Sequence, residues 1–240
     1  MQSNGLPRLV RDCAPTSSLE GLRQEIDRID DALIDLIGRR LALSALIGKL
    51  KRSTPDRRLS FRPRRQASIL ERLKRRAYHL PPQLVTHVWG ELMAHCLQAQ
   101  IRTELVLCAS RRAHSLKETV RERFGRAATA QWVATPAEAL DIARRREAIA
   151  AIEYGPLDSW WTSLHRSDLA VFDLIRDESG RLVAIVVGRV DSEDMADGPR
   201  LCVLAEDELG QHMARGDAID PISACGSLRL CLVTEGEAGR

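Results

Sequence analysis

The chain has 240 residues, enough for one large domain or two modest ones, and its 29% charged and 44% hydrophobic content is that of a soluble globular protein. Lysine and arginine exceed aspartate and glutamate by only three, and no apolar run is long enough to span a membrane, so no membrane association is expected. The six cysteines (13, 96, 108, 202, 225 and 231) form no CxxC pair, and the six histidines give no metal spacing, so no metal and no cofactor are expected; the thiols read as buried and free, in a cytoplasmic protein.

Residues 1–18 lack the apolar core of a signal peptide and read as a loose leader ending at a helix cap, Ser17 or Ser18. From Leu19 to about Lys51, apolar residues recur at Leu22, Ile26, Ile29, Leu33, Leu36, Ile37, Leu41 and Ile47, close to the 3.6-residue period of a long amphipathic helix. Ser53-Thr54-Pro55-Asp56 ends it, because proline cannot continue the hydrogen-bond ladder. A second helix is expected from about Pro63 to Tyr78, with Ile69, Leu70 and Leu73 inward and His79-Leu80-Pro81-Pro82 as its break. A third runs from about Pro82 to Ile101, with Leu84, Val88, Leu92 and Cys96 at every fourth position beside Val85, Trp89 and Met93. Helices so unequal in length make a poor compact monomer, and the long apolar stripe of the first predicts an identical neighbour, a homodimer.

The cations of the first helix sit where packing alone would not put them. Arg40 and Lys51 are eleven residues apart, so at about 100° per residue they point within roughly 20° of each other, while Arg23, seventeen before Arg40, is turned about 100° away. One helix offers two cations to one place and a third in another direction, toward a partner chain. Basic residues dominate from Arg39 to Arg76, in the runs Lys49-Leu50-Lys51-Arg52, Arg57-Arg58, Arg62-Pro63-Arg64-Arg65 and Lys74-Arg75-Arg76. A solvated face, a nucleic-acid patch and an electropositive pocket for a small polyanion all fit that basicity. Few aromatics are present there for base stacking, so no nucleic-acid partner is expected.

After Thr103 the pattern changes. Glu104–Ala109 reads as a buried strand, about Ser115–Phe124 as a helix, Gln131–Ala134 as a strand, Pro136 to about Arg146 as a helix and Ala148–Tyr154 as a strand. Leu169–Arg176 and Leu182–Val190 are expected to pair across the turn Asp177-Glu178-Ser179-Gly180, with further strands at Leu201–Ala205 and Leu228–Thr234. The fold class is therefore α+β and multidomain: three helices over residues 19–102, then a small α/β domain with a partly parallel sheet over 103–240, of regulatory or structural role. Trp160-Trp161 reads as a packed loop before a ligand platform.

The helical segment resembles the all-α class of chorismate mutases. The pattern Leu-Arg-x-x-Ile-Asp-x-Ile-Asp is unbroken from Leu22 to Asp30, followed by Arg40, Gly48-Lys49-Leu50-Lys51, Arg65-Gln66 and Gln100 in the family's order and spacing across residues 19–102. The resemblance implies a cytoplasmic enzyme of aromatic amino-acid biosynthesis that rearranges chorismate to prephenate, an isomerase needing neither metal nor cofactor. The rearrangement is pericyclic, so an enzyme helps by holding the compact conformer of a dicarboxylate and stabilising charge on the breaking ether, tasks for fixed cations in a water-poor pocket. By resemblance, Arg40 and the other protomer's Arg23 hold a carboxylate, Lys51 and Gln100 donate to the ether oxygen, and Arg65 assists from the pocket edge.

Three positions depart from the family pattern. Arg62-Pro63-Arg64 stands where an Asp is common, Gln66 where a Glu receives the substrate hydroxyl, and Cys96 where a Ser assists a carboxylate; Gln66 and Cys96 remain substrate-binding candidates. A non-catalytic metabolite sensor or partner activator, and an isochorismate pyruvate lyase built on a similar scaffold, are the alternatives. Taken singly, Arg39 and Lys49 are ordinary solvated side chains. The C-terminal segment loosely resembles a shortened prephenate-dehydratase-like or periplasmic-binding-like domain, but it lacks a Thr-Arg-Phe tripeptide, so no dehydratase activity is expected.

Overall fold

The computed structural model describes residues 18–52, 61–111, 113–145, 148–155, 157–177, 179–195 and 198–236. The leader expected before Ser18, Cys13 and the Ser53–Asp56 helix stop lie outside these residues. Helix α1 spans Leu19–Arg52. Ser18 is its cap: the Gly21 N–H donates to Ser18 Oγ at 3.1 Å and the Leu22 N–H to Ser18 O at 3.2 Å, satisfying donors that the first turn cannot pair internally. Helix α2 is Pro63–Arg76 and α3 is Pro82–Gln100, each opened by a proline, whose missing N–H costs nothing in a first turn.

Helices α1 and α3 run parallel at a constant offset. Arg40 reaches Leu92 and Gly48 lies against Gln100, both 52 positions on. At about 1.5 Å per residue α1 is about 51 Å long and α3 about 28 Å, so the first turns of α1 extend past the start of α3. The apolar stripe of α1 is largely uncovered in the single chain: Leu22, Ile26, Ile29, Leu33 and Leu36 are between 49% and 61% exposed. Among the described residues of α1 only Ser44 and Gly48 are buried.

The side chain of Gln98 ties the end of α3 to the C-terminal domain, donating from Nε2 to Thr103 O at 2.9 Å and accepting from the Thr103 N–H at 3.2 Å. That domain begins with β1 (Glu104–Cys108), α4 (Ala113–Phe124), β2 (Ala130–Trp132), α5 (Pro136–Arg145), β3 (Ala148–Glu153), β4 (Ala170–Arg176) and β5 (Leu182–Gly188). The strands form a five-stranded sheet in the order β2-β1-β3-β5-β4, parallel among β1, β2 and β3 and antiparallel between β3 and β5 and between β5 and β4. Side chains alternate across it as the pleat requires. Leu105, Leu107, Ile149 and Ala151 share one core with Leu116, Val120 and Phe124 of α4, and Val106, Ala150 and Ile152 share the other with Ala139, Leu140 and Ala143 of α5. The expected hairpin forms, with Asp177 Oδ1 accepting from the backbone N–H groups of Ser179 and Arg181.

A second sheet holds β6 (Arg200–Ala205), β7 (Ala218–Cys225) and β8 (Leu228–Thr234) in the order β6-β8-β7, with α6 (Glu206–Ala214) between β6 and β7. The sequence patterns do not announce helix α6 or strand β7. Glu208 Oε2 accepts the Ala205 N–H at 2.8 Å to cap α6, and Pro221 lies at a register shift of β7, an edge strand where a missing N–H is tolerated. Trp160 and Trp161 fall in a 3-10 turn (Trp160–Leu164), with Trp161 fully buried and its Nε1–H on Asp158 O at 2.7 Å, a packing role. Cys96, Cys108 and Cys231 are buried and free and Cys202 is half-buried; Cys225 is exposed, which corrects the expectation for that thiol, because β7 turns much of its surface outward. Burial raises the thiol pKa of Cys108, Cys202 and Cys231 above the ordinary value.

Candidate active site

A cavity of 440 Å³ opens where the second half of α1, the start of α2 and the end of α3 meet the C-terminal domain. Arg40, Lys51, Arg65, Gln66, Cys96 and Gln100 all line it. Six of the seven residues singled out from the sequence thus surround one space. Arg40 and Lys51 arrive there by the helical arithmetic, three turns apart on one face of α1. Arg23 does not. Its side chain is 65% exposed, 3.8 Å from Glu20 on its own helix and about 26 Å along the axis from Arg40.

The close approach of α1 to α3 brings Lys51 and Gln100 to the same wall. A Cβ on Gly48 would stand 2.3 Å from Gln100 O and 2.6 Å from its Cα, so the contact exists only because Gly48 has no side chain. Lys51 follows three residues later on the same face. Arg40 Nη1 donates to Cys96 Sγ and lies 3.5 Å from Leu92 O, at the outer limit of a hydrogen bond.

The electrostatics of the cavity are one-sided. Arg40, Lys51, Arg62 and Arg65 line it, and none of its described lining residues is acidic. Arg62 pairs with Asp194, Nε to Oδ2 at 3.2 Å. Gln66 Oε1 is buried and accepts no hydrogen bond from any described residue, a condition that costs about 1–3 kcal/mol until a donor arrives. Leu43, Ile47, Ile69, Met93 and Leu97 supply apolar surface around these groups, lowering the local dielectric and strengthening each charge. The arrangement suits a small anion that is partly apolar and carries a hydrogen-bond donor. Among the described residues no group of three or more His, Cys, Asp or Glu is placed to hold a metal ion.

Sequence reasoning missed the far wall, which Leu105, Phe124, Ala128 and Ile149 build from the C-terminal domain. These are ordinary core positions along the chain, and only the packing of α3 on the sheet turns them toward the cavity. The other place where an open parallel sheet offers a ligand crevice, outside the carboxyl ends of β1 and β3, is closed by the protein itself. The Glu153 carboxylate, 7% exposed, accepts the Ser110 and Arg111 N–H groups at 2.8 and 2.9 Å and lies 3.4 Å from Arg111 Nε.

Residues 22–101 match the family model described as chorismate mutase type II. The match covers about one third of the chain and all three helices apart from the first turn of α1. No curated protein and no solved structure matches the chain. Among the described residues no helix is long and apolar enough to cross a membrane.

Proposed function

We propose that the protein is a chorismate mutase that rearranges chorismate to prephenate in the cationic cavity, without metal or cofactor, as a cytoplasmic homodimer. The observation that carries the reading is the gathering of Arg40, Lys51, Arg65, Gln66 and Gln100 around one cavity with no described acidic residue on its walls. Chorismate brings two carboxylates, an ether and a hydroxyl to such a place. Arg40 grips one carboxylate through its planar fork. Lys51 and Gln100 donate to the ether oxygen, where negative charge grows as the carbon–oxygen bond breaks, and stabilise the transition state more than the ground state. Arg65 adds positive potential at the rim, the unpartnered Gln66 Oε1 accepts the substrate hydroxyl, and Cys96 keeps Arg40 oriented before substrate enters.

Arg23 joins the site from a second chain in this reading. The exposed stripe of α1 is a contiguous apolar surface of the kind that proteins cover, and a copy laid along it brings its own Arg23 toward Arg40. Residues 19–102 act in this reading as the catalytic domain and residues 103–240 as a structural partner without dehydratase activity.

Loss of chorismate absorbance on addition of purified full-length protein tests the proposal. Turnover with prephenate as product supports it. Binding without turnover favours a metabolite sensor, and pyruvate release from isochorismate in preference to chorismate favours a lyase on the same scaffold; either result overturns the mutase assignment.

A further inference from the structure

Helix α2 carries Arg65 and Gln66 into the cavity and packs on α3, but it buries little side-chain surface of its own. Within Pro63–Arg76 only Pro63 is buried, and no side chain caps the first turn. Ile69, Leu70 and Leu73 are half-buried, and most of the other side chains are polar or charged and exposed.

The two residues immediately before α2 are held instead by the C-terminal domain. Phe61 is 7% exposed and belongs to the sheet core. Its ring centroid lies 5.5 Å from Phe124 of α4 and 5.3 Å from Phe172 of β4, and those two rings are 6.1 Å apart. All three phenylalanines of the chain therefore meet in one cluster, in the edge-on and tilted arrangements that aromatic rings favour. Arg62 adds the ion pair with Asp194, which lies in the 3-10 turn Ser192–Asp194 beyond β5, and the neighbouring Met195 is buried in the same core as the three rings. Arg65 and Gln66 come four and five residues after Phe61, one helical turn away, so the seat of Phe61 fixes the height and rotation of α2 at the point where both residues enter the cavity.

We propose that the C-terminal domain is a working part of the site: Phe61 and Arg62 are positioning residues that seat α2 on the sheet core and so set where Arg65 and Gln66 point. The inference deepens the mutase reading where turnover is concerned, while the seating itself is independent of any activity.

The test uses full-length protein carrying Phe61→Ala, Phe61→Leu, Arg62→Glu, or Arg62→Glu with Asp194→Arg, at a temperature where circular dichroism shows each folded. Amide hydrogen exchange is resolved over the three helices, and kcat and KM are measured for chorismate. Phe61→Ala is expected to speed exchange in residues 63–76 roughly ten-fold or more while α1 and α3 change by less than about two-fold, since local opening follows local anchoring. It is also expected to lower kcat/KM by roughly 10- to 100-fold, the consequence of misplacing groups by about an ångström. Phe61→Leu restores most of both. Arg62→Glu speeds exchange in residues 63–76 about two- to five-fold, the scale of an exposed pair, and the exchanged pair recovers it. Unchanged exchange in α2, or an equal rise in all three helices, overturns the proposal. If the wild-type protein turns over no chorismate, the functional reading falls and the exchange pattern still decides the seating. If Phe61→Ala does not fold, Arg62→Glu and its exchanged partner decide it by the same readout.

Discussion

Replacing Gly48 by alanine puts a methyl group where α1 crosses the end of α3. It would stand 2.3, 2.6 and 2.8 Å from the O, Cα and C atoms of Gln100. All three are backbone atoms, so no side-chain rotation relieves the overlap. Ordinary contact begins near 3.4 Å, and the two helices must part by about 1 Å to reach it. Helix propensity alone favours alanine by about 0.8–1 kcal/mol, and overpacking a close contact costs about 1–3 kcal/mol. The net loss of stability is therefore modest, between about zero and 2 kcal/mol. The effect on turnover is larger, because the displaced residue is Gln100 and the displaced turn carries Lys51. A shift of about 1 Å in groups meant to meet a transition state predicts a fall in kcat/KM approaching 100-fold. Gly210 in α6 is the control, for nothing lies within 4 Å of a Cβ there and Gly210→Ala should gain up to about 1 kcal/mol with turnover unchanged. Urea melts followed by circular dichroism, with chorismate kinetics alongside, measure both. A Gly48→Ala protein as stabilised as Gly210→Ala and fully active would refute the described contact between the helices.

Three further outcomes are expected. Arg23→Ala and Arg40→Ala each lower kcat/KM by about 100-fold or more with helix content intact, and refolding the two as an equal mixture recovers about a quarter of wild-type sites, those of mixed dimers in which one pocket keeps both arginines; no recovery would mean that Arg23 serves no neighbouring site. With a thiol reagent near pH 8, exposed Cys225 is labelled early, while Cys108, Cys202 and Cys231 stay slow because burial holds their thiols protonated; early labelling of Cys231 by mass spectrometry would contradict the packing of β8. The Gly236 N–H and then His212 hold the Asp217 carboxyl below its ordinary pKa, as the Ala205 N–H and then His165 do for Glu208. Depressed carboxylates contribute stability that is present above the unfolded pKa, about 4, and lost as pH falls through the folded value, so Asp217→Asn should flatten the acid side of a Tm-versus-pH curve, and an acid limb as steep as wild type would refute the assignment.

The helices were legible because their signals are local. Ser18, Pro63 and Pro82 mark starts, and each observed boundary falls within two residues of the expected one. That Arg40 and Lys51 face one cavity was legible for the same reason, since helical geometry alone turns them the same way. The presence of Arg65, Gln66 and Gln100 in the same cavity rested on resemblance, because no periodicity in this chain relates one helix to another. Strand β7 escaped notice because it is a polar edge strand containing Pro221, and α6 because nine residues with Gly210 among them give too short a period to register, although Glu206-Asp207-Glu208 is a sound first turn. The far wall of the cavity was illegible for a deeper reason. Phe124 and Ile149 are core residues by every local measure, and which part of a core residue faces a neighbouring cavity is decided only by packing. Phe61 did leave a trace, as a lone aromatic in a basic run just before a helix.

Two features of the single chain point to one arrangement. The stripe of α1 from Leu22 to Leu36 exposes apolar surface along several turns, and the cavity gathers cations with no described acid among them. In the proposed dimer, a second chain lying along α1 covers the first. In the proposed function an anionic substrate occupies the second, and Arg23 strengthens that grip only if the covering chain delivers it. Dimerisation and substrate binding are then linked: each stabilises the form in which the other is favourable. Chorismate should accordingly tighten the dimer, and dilution should weaken substrate affinity together with the oligomeric state. Sedimentation at a series of protein concentrations, with and without chorismate, measures this directly. A dimer indifferent to chorismate, or a monomer with undiminished turnover, would separate the two features and leave the exposed stripe of α1 needing a different partner.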